Sequence, residues 1–62
     1  MAEYEVHSNY GGAPFKNVDD AINALWLLGA YHNIEIERDT VKKALEDNGF
    51  FESFPLTIIA SV

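Results

Sequence analysis

The feature that most limits how this chain can fold is its shortness combined with a complete absence of cysteine. A domain of 62 residues buries only about 60% of the surface that its unfolded chain exposes, so its stability margin is thin. Natural proteins of this size usually add disulfides, a metal ion or a partner subunit to a small core. Disulfides and thiolate metal sites are excluded, because the chain has no cysteine. It must therefore fold on a compact core alone or on a core that another chain completes.

The composition can supply such a core. Hydrophobic residues make up 48% of the chain, and they include four phenylalanines, three tyrosines and one tryptophan. Disordered chains lack this apolar content. With no repeat, linker or low-complexity segment in view, we predict one soluble domain over residues 1–62.

Three segments show the period of two that is typical of a half-buried strand. Segment 2–8 alternates apolar with polar residues, segment 34–37 alternates isoleucine with glutamate, and segment 56–62 is rich in β-branched residues. Segment 8–14 concentrates asparagine, glycine and proline, which predicts a loop. A further turn is predicted over 52–55, before the third strand.

Two segments predict helices. The first spans 18–29 with Asn17 as its N-cap, and the second spans 39–48 with Asp39 as its N-cap and Gly49 just past its end. The order is then β-α-β-α-β, an α/β (α+β) domain with two helices packed on one face of a three-stranded sheet. The predicted core consists of Val6, Ile22, Leu25, Ile34, Val41, Leu45, Leu56 and Ile58.

The charge of the chain indicates which partners it can have. Ten carboxylates against four bases give a net charge of −6 and a pI near 4.5. Nucleic-acid binding requires several bases to neutralise phosphates, so we expect no direct contact with nucleic acid. Two interpretations remain: the acidity only keeps the protein soluble, or it forms a surface that meets a basic partner.

The sequence predicts a cytoplasmic protein. The N-terminal residues show neither the basic nor the apolar region of a signal peptide. The longest apolar run, 24–31, is far short of the ~20 residues of a membrane span.

No catalytic, metal or cofactor site is predicted. His32 and Glu35 have an i, i+3 spacing, but two ligands do not make a metal site. Ser8, Ser53 and Ser61 have no histidine beside them in a setting typical of a nucleophile. We therefore predict that the protein is not an enzyme.

Residues 38–45 read Arg-Asp-Thr-Val-Lys-Lys-Ala-Leu, which resembles the recognition helix of winged helix-turn-helix repressors of the GntR type. The resemblance implies DNA binding, with Lys42 and Lys43 on the phosphates. In that family the run follows a short turn after a helix, whereas here the alternating segment 34–37 stands between. DNA binding is therefore kept as an alternative function.

The first predicted helix carries too many apolar side chains for one buried face. From Ala21 to Tyr31 only Asn23 has a polar side chain that is not aromatic, although a surface helix normally has a polar face opposite its buried stripe. Trp26, Leu27 and Tyr31 remain without a place in the core. Either another part of this chain covers them or a second molecule does.

These observations predict a small acidic module that binds a larger protein and occludes a basic surface of that protein. In one version of the hypothesis, the occluded surface is one with which the larger protein binds nucleic acid. The prediction is made by analogy with inhibitors encoded by phages and other mobile elements, which are short, acidic and free of cysteine. A self-assembling structural protein, a homodimer through helix 18–29, is a further alternative. The residues predicted to bind the partner are Trp26, Tyr31, Glu3, Glu5, Asp19, Asp20, Glu35 and Glu37.

Overall fold

Four strands form one antiparallel sheet, and two helices cover one of its faces. The structure, a computed structural model, describes residues 3–61. The elements follow the order β1 (Tyr4–Ser8), β2 (Gly11–Phe15), α1 (Val18–Tyr31), α2 (Arg38–Asn48), β3 (Phe50–Ser53) and β4 (Leu56–Ala60). The α+β class and the packing of both helices on one face are as predicted, but the predicted order β-α-β-α-β with three strands is wrong.

The sheet has the spatial order β2-β1-β4-β3. Its central pair joins the first and last strands, with Val6 opposite Ile58. The outer strands are hairpin partners, β2 of β1 and β3 of β4. The second hairpin turns through Phe54 and Pro55, which are linked by a cis peptide bond. Because β1 and β4 run antiparallel, the turn that follows β1 and the turn that precedes β4 lie at the same end of the sheet.

The core lies between the sheet and the two helices. Leu25 and Val41 come from the helices, and Leu56 and Ile58 from β4, and all four side chains are fully buried. The helical residues recur at the spacing of one helix face, and the strand residues alternate, as a one-sided core requires. Among the described residues, the buried hydrophobic side chains are Val6, Ala21, Ile22, Leu25, Ile36, Val41, Leu45, Leu56 and Ile58.

Segment 34–37 is the connection between the helices and not a strand. Its backbone is tied to α1, since the amide of Ile34 donates to the carbonyl of Gly29 at 2.7 Å. A β-carbon on Gly29 would lie 2.5 Å from Cγ1 of Ile36 and 2.8 Å from the carbonyl oxygen of Ile34. The absence of a side chain at Gly29 therefore lets this segment cross α1 closely. Ile36 is buried here, and Ile34, predicted for the core, is only half-buried.

The predicted loop over 8–14 is mostly the β1–β2 hairpin, in which only Asn9 and Tyr10 form the turn. Gly11 has φ +132°, a conformation that favours glycine. Pro14 is accommodated because β2 is an edge strand, where a missing N–H costs no ladder bond. The expected turn over 52–55 is likewise shorter, because residues 50–53 form β3.

The remaining boundaries agree closely with the sequence patterns. The first and last strands are described over Tyr4–Ser8 and Leu56–Ala60, while Ala2 and Val62, also predicted to be in strands, lie outside the described residues. Helix α1 continues two residues beyond 29. Helix α2 begins at Arg38, so Glu37 and not Asp39 takes the N-cap position. Gly49 ends α2 with φ +83°, as predicted.

The cap of α1 gives a test of local stability. The side chain of Asn17 accepts a hydrogen bond of 2.8 Å from the backbone amide of Asp19. We expect Asn17→Ala to lower the free energy of unfolding by about 1 kcal/mol, because that amide loses its partner. Urea denaturation followed by circular dichroism measures the change. The matched control is Asn23→Ala in the exposed middle of α1, which should raise stability by a few tenths of a kcal/mol through helix propensity. Equal losses in the two variants would contradict the assigned cap.

Candidate functional site: the outer face of α1

The outer face of α1 exposes large apolar side chains. Trp26 is 42% exposed, Leu27 61% and Tyr31 78%. We call these three residues the α1 outer face. The core is filled by other side chains of the same helix, including the fully buried Leu25. The three exposed residues are therefore not a displaced part of the core.

Trp26 lies on the flank of α1 that faces α2. Successive residues of a helix are about 100° apart, which places Trp26 and Tyr31 on opposite flanks with Leu27 between them. The guanidinium carbon of Arg38, at the start of α2, lies 5.1 Å from the centre of the Trp26 ring. A guanidinium stacked on indole is attracted to the ring's π face. Arg38 therefore covers part of Trp26 and fixes one border of the surface.

Tyr31 lies beside an aromatic cluster at the other end of the α1 outer face. The ring of His32 is stacked on Tyr10 of the β1–β2 turn, with centroids 6.1 Å apart, and meets Tyr31 edge-on at 5.7 Å. Nε2 of His32 is buried and has no hydrogen-bond partner. Tyr10 is itself 77% exposed. The cluster joins the first hairpin to the end of α1 and extends the exposed aromatic surface onto the turn.

A groove of about 250 Å³ lies between α1 and β2. Ala24 and Leu28 line it from the helix, and Ala13 and Phe15 line it from the strand. It exists because the inward positions of β2 carry small residues near the turn, where Gly11 and Ala13 leave the flank of α1 uncovered. We call this space the β2 groove.

The carboxylates predicted to bind a partner do not form one surface. Asp20 precedes Leu27 by two helical turns and so shares the outer face of α1. Glu35 and Glu37 lie in the connection that follows α1, and both are exposed. Asp19 lines a groove between the two helices that Lys42 also lines.

Glu3 and Glu5 are placed away from the α1 outer face. Glu5 alternates with the buried Val6, so its side chain is on the open face of the sheet. There its Oε1 lies 2.9 Å from Nε2 of His7. The His7 ring in turn lies against Gly12, where an added β-carbon would be only 2.6 Å from its Cε1. Glu3 is exposed just before β1, and its backbone pairs with Phe15 and Ser61.

A second exposed apolar surface was missed by the sequence analysis. Phe50 and Ile59 are paired across β3 and β4 on the open face of the sheet, and they are 50% and 39% exposed. Phe54, in the turn of that hairpin, is 88% exposed. The signal was the pair of adjacent phenylalanines at 50 and 51, since neighbouring residues of a strand point to opposite faces. Only Phe51 packs against the core.

Residues 3–61 contain no group of three or more histidine, aspartate or glutamate side chains arranged to hold a metal ion. Neither α1 nor α2 has the length and apolar character that crossing a membrane requires.

Comparison of the chain with protein-family models, with curated proteins and with solved structures gave no match.

Proposed function

We propose that this protein is a small, non-enzymatic binding module whose α1 outer face docks on a basic surface of a larger protein. The observation that carries the proposal is the exposure of Trp26, Leu27 and Tyr31 on a helix whose inner stripe already fills the core. Exposed apolar patches bordered by charge mark interaction sites. Tryptophan and tyrosine are also the residues that most often dominate binding energy at interfaces.

The charge distribution supports a basic partner. Asp20 lies on the outer side of α1, Glu37 lines a shallow groove together with Trp26, and Arg38 is stacked on Trp26. Carboxylates around an apolar centre increase the association rate with a positive surface and select against acidic partners. Many basic protein surfaces bind nucleic acid, so this protein would compete with nucleic acid for its partner.

The test compares capture of a partner by the wild type and by two variants. The tagged protein is incubated with an extract of its native host, and the retained protein is identified, purified and titrated by calorimetry. We expect Leu27→Asp and Trp26→Glu each to weaken binding at least about 30-fold, the effect of losing an interface hot spot. Both positions are exposed, so the unfolding curves of these variants should stay close to that of the wild type.

Phe54→Asp is the matched control, because Phe54 is more exposed than Leu27 but lies on the other hairpin. It should leave the affinity unchanged, and duplex DNA should release the partner if the occluded surface binds nucleic acid. Full binding by Leu27→Asp, or loss of binding only in Phe54→Asp, would refute the proposed site. If Trp26→Glu unfolds the protein, Trp26 belongs to the core and not to an interface.

The self-assembly alternative makes a different prediction for the same variants. If a second copy covers the α1 outer face, the purified protein sediments as a dimer and Trp26→Glu converts it into a monomer. A wild type that is monomeric at high concentration excludes this alternative.

A further inference from the structure

Strand β2 combines a free edge with an apolar groove beneath it. It is the outermost strand of the sheet, and within residues 3–61 it pairs only with β1. On its inner side, the β2 groove exposes Ala24 and Leu28 of α1 to solvent.

The size of the β2 groove suits a side chain better than a small-molecule ligand. Its volume of about 250 Å³ falls below the roughly 300–1,000 Å³ of typical ligand pockets. A closed apolar cavity of about 150 Å³ accommodates benzene. One aromatic or branched aliphatic side chain therefore fits, with Tyr10 at one end of the groove and Phe15 at the other.

The residues of β2 allow another backbone to approach. Glycine inside a strand weakens it and often marks a place where a second backbone comes close. Gly11 and Gly12 occupy the half of β2 next to the turn, and Ala13 follows them. Gly11 and Ala13 lie opposite the residues of β1 that bond to β2, so Gly12 and Pro14 are the residues of β2 that face its free edge. Pro14 has no amide hydrogen to donate, so the outer edge of β2 offers the amide of Gly12 and the carbonyls of Gly12 and Pro14. Natural edge strands usually carry a charge or a proline to limit pairing; β2 carries no charge, and Pro14 is its one residue of this kind.

The charges nearby indicate the polar character of the added segment. Asp20 lies one helical turn before Ala24, and Glu5 lies opposite Pro14 in the register of the sheet. Three of the four bases are on α2, which packs over β3 at the opposite edge, and Lys16 alone follows β2.

We propose that an extended, basic segment of the partner adds to the free edge of β2 and places one apolar side chain in the β2 groove. This inference rests on the proposed function and specifies how the partner engages beside Leu27 and Tyr31. Strand addition of this kind obtains affinity from main-chain hydrogen bonds and specificity from a pocket for an alternate side chain.

The probe is a synthetic nine-residue peptide that alternates lysine with valine and has phenylalanine at the central apolar position. Titration into the ¹⁵N,¹³C-labelled protein should shift the amide resonances of Gly11, Gly12 and Ala13 and the methyl resonances of Leu28. A peptide with N-methyl groups on alternate residues keeps the charge but cannot pair along a strand. A third peptide has serine in place of each apolar residue. Both should bind at least ten-fold more weakly than the probe.

A substitution in this chain tests whether the probe binds in the groove, because it should change the affinity and the stability in opposite directions. The Cα of Ala13 is paired with that of the buried Val6, so its side chain faces α1. Ala13→Leu fills the groove from within, and it should raise the melting temperature by a few degrees while lowering the affinity for the probe at least ten-fold. Thr57→Val, on the open face of the sheet, is the control and should leave the affinity unchanged.

The proposal is overturned if the N-methylated peptide binds as well as the probe, because binding then depends on charge alone. It is also overturned if Ala13→Leu binds the probe normally, or if the free protein dimerises with the amide of Gly12 protected by a second copy. These results leave the proposed function intact as long as Leu27→Asp still fails to bind the purified partner. Full partner binding by Leu27→Asp refutes the proposed function itself, whatever the peptide does.

Discussion

Replacing Leu25 by alanine is expected to lower the free energy of unfolding by about 3 kcal/mol, whereas Leu27→Ala should change it by less than about 0.5 kcal/mol. The two residues are on the same helix, but Leu25 is fully buried and Leu27 is 61% exposed. The helix-propensity term is the same in both substitutions. The difference between the two variants therefore isolates the contribution of burial and of the cavity left behind.

Urea denaturation at a fixed temperature measures both changes. A chain of this length has a total stability of roughly 3–9 kcal/mol at about 0.05–0.15 kcal/mol per residue, so Leu25→Ala should lose about a third of its stability or more. Similar losses in the two variants would show that Leu27 is covered in solution, which a dimer through α1 would explain.

A valine in place of Gly29 is expected to cost about 3 kcal/mol, the upper end of the usual range for overpacking. An added β-carbon would lie 2.8 Å from the carbonyl oxygen of Ile34, a backbone atom that cannot move aside without shifting the connection. Helix propensity alone predicts the opposite sign, since glycine is the less favourable residue in a helix interior.

Ala30→Val is the control for this substitution, because Ala30 is exposed on the next position of α1. It should cost only about 0.5 kcal/mol, the propensity difference between alanine and valine. Amide hydrogen exchange at Ile34 adds a direct readout, as its hydrogen bond to Gly29 should open in Gly29→Val. Unchanged stability and exchange would contradict the close crossing of segment 34–37.

Sequence patterns predicted the elements whose signals are local. Asn17 before an apolar periodic run, and Gly49 after one, mark helix ends through their own backbone chemistry. Alternation around Val6 and Ile58 located the two central strands, since one face of each is buried. These features require no knowledge of what the elements pack against.

The other elements depended on tertiary contacts. Segment 34–37 has the alternation of a strand, but within residues 3–61 it pairs with no strand, and the amide of Ile34 bonds to the carbonyl of Gly29 in α1. Gly11 and Gly12 are residues typical of turns, so the sequence predicted a loop where the structure has an edge strand. That strand is stabilised by pairing with β1. Edge strands carry few buried side chains, so their hydrophobic pattern is weak.

The candidate site was predictable in part. The surplus of apolar residues on the first helix indicated that Trp26, Leu27 and Tyr31 have no place in the core, but it left open whether this chain or a second molecule covers them. In the structure all three are exposed. Their role in binding stays a prediction. The β2 groove could not be foreseen, because it arises from the register that sets Ala13 beside Val6 and opposite α1. Glu5 lies far from the α1 outer face because its side chain is on the open face of the sheet, on the other side from the helices. The positions of the carboxylates along the sequence do not indicate this.

The position of Trp26 gives the molecule its own optical reporter. It is the single tryptophan of the chain, and it stands half in water at the border of the α1 outer face beneath Arg38. Indole emission moves to shorter wavelengths when water leaves the ring and to longer wavelengths when the ring becomes fully hydrated. Docking of a partner on this face and unfolding of the chain should therefore shift the colour of the same fluorophore in opposite directions, without any label attached.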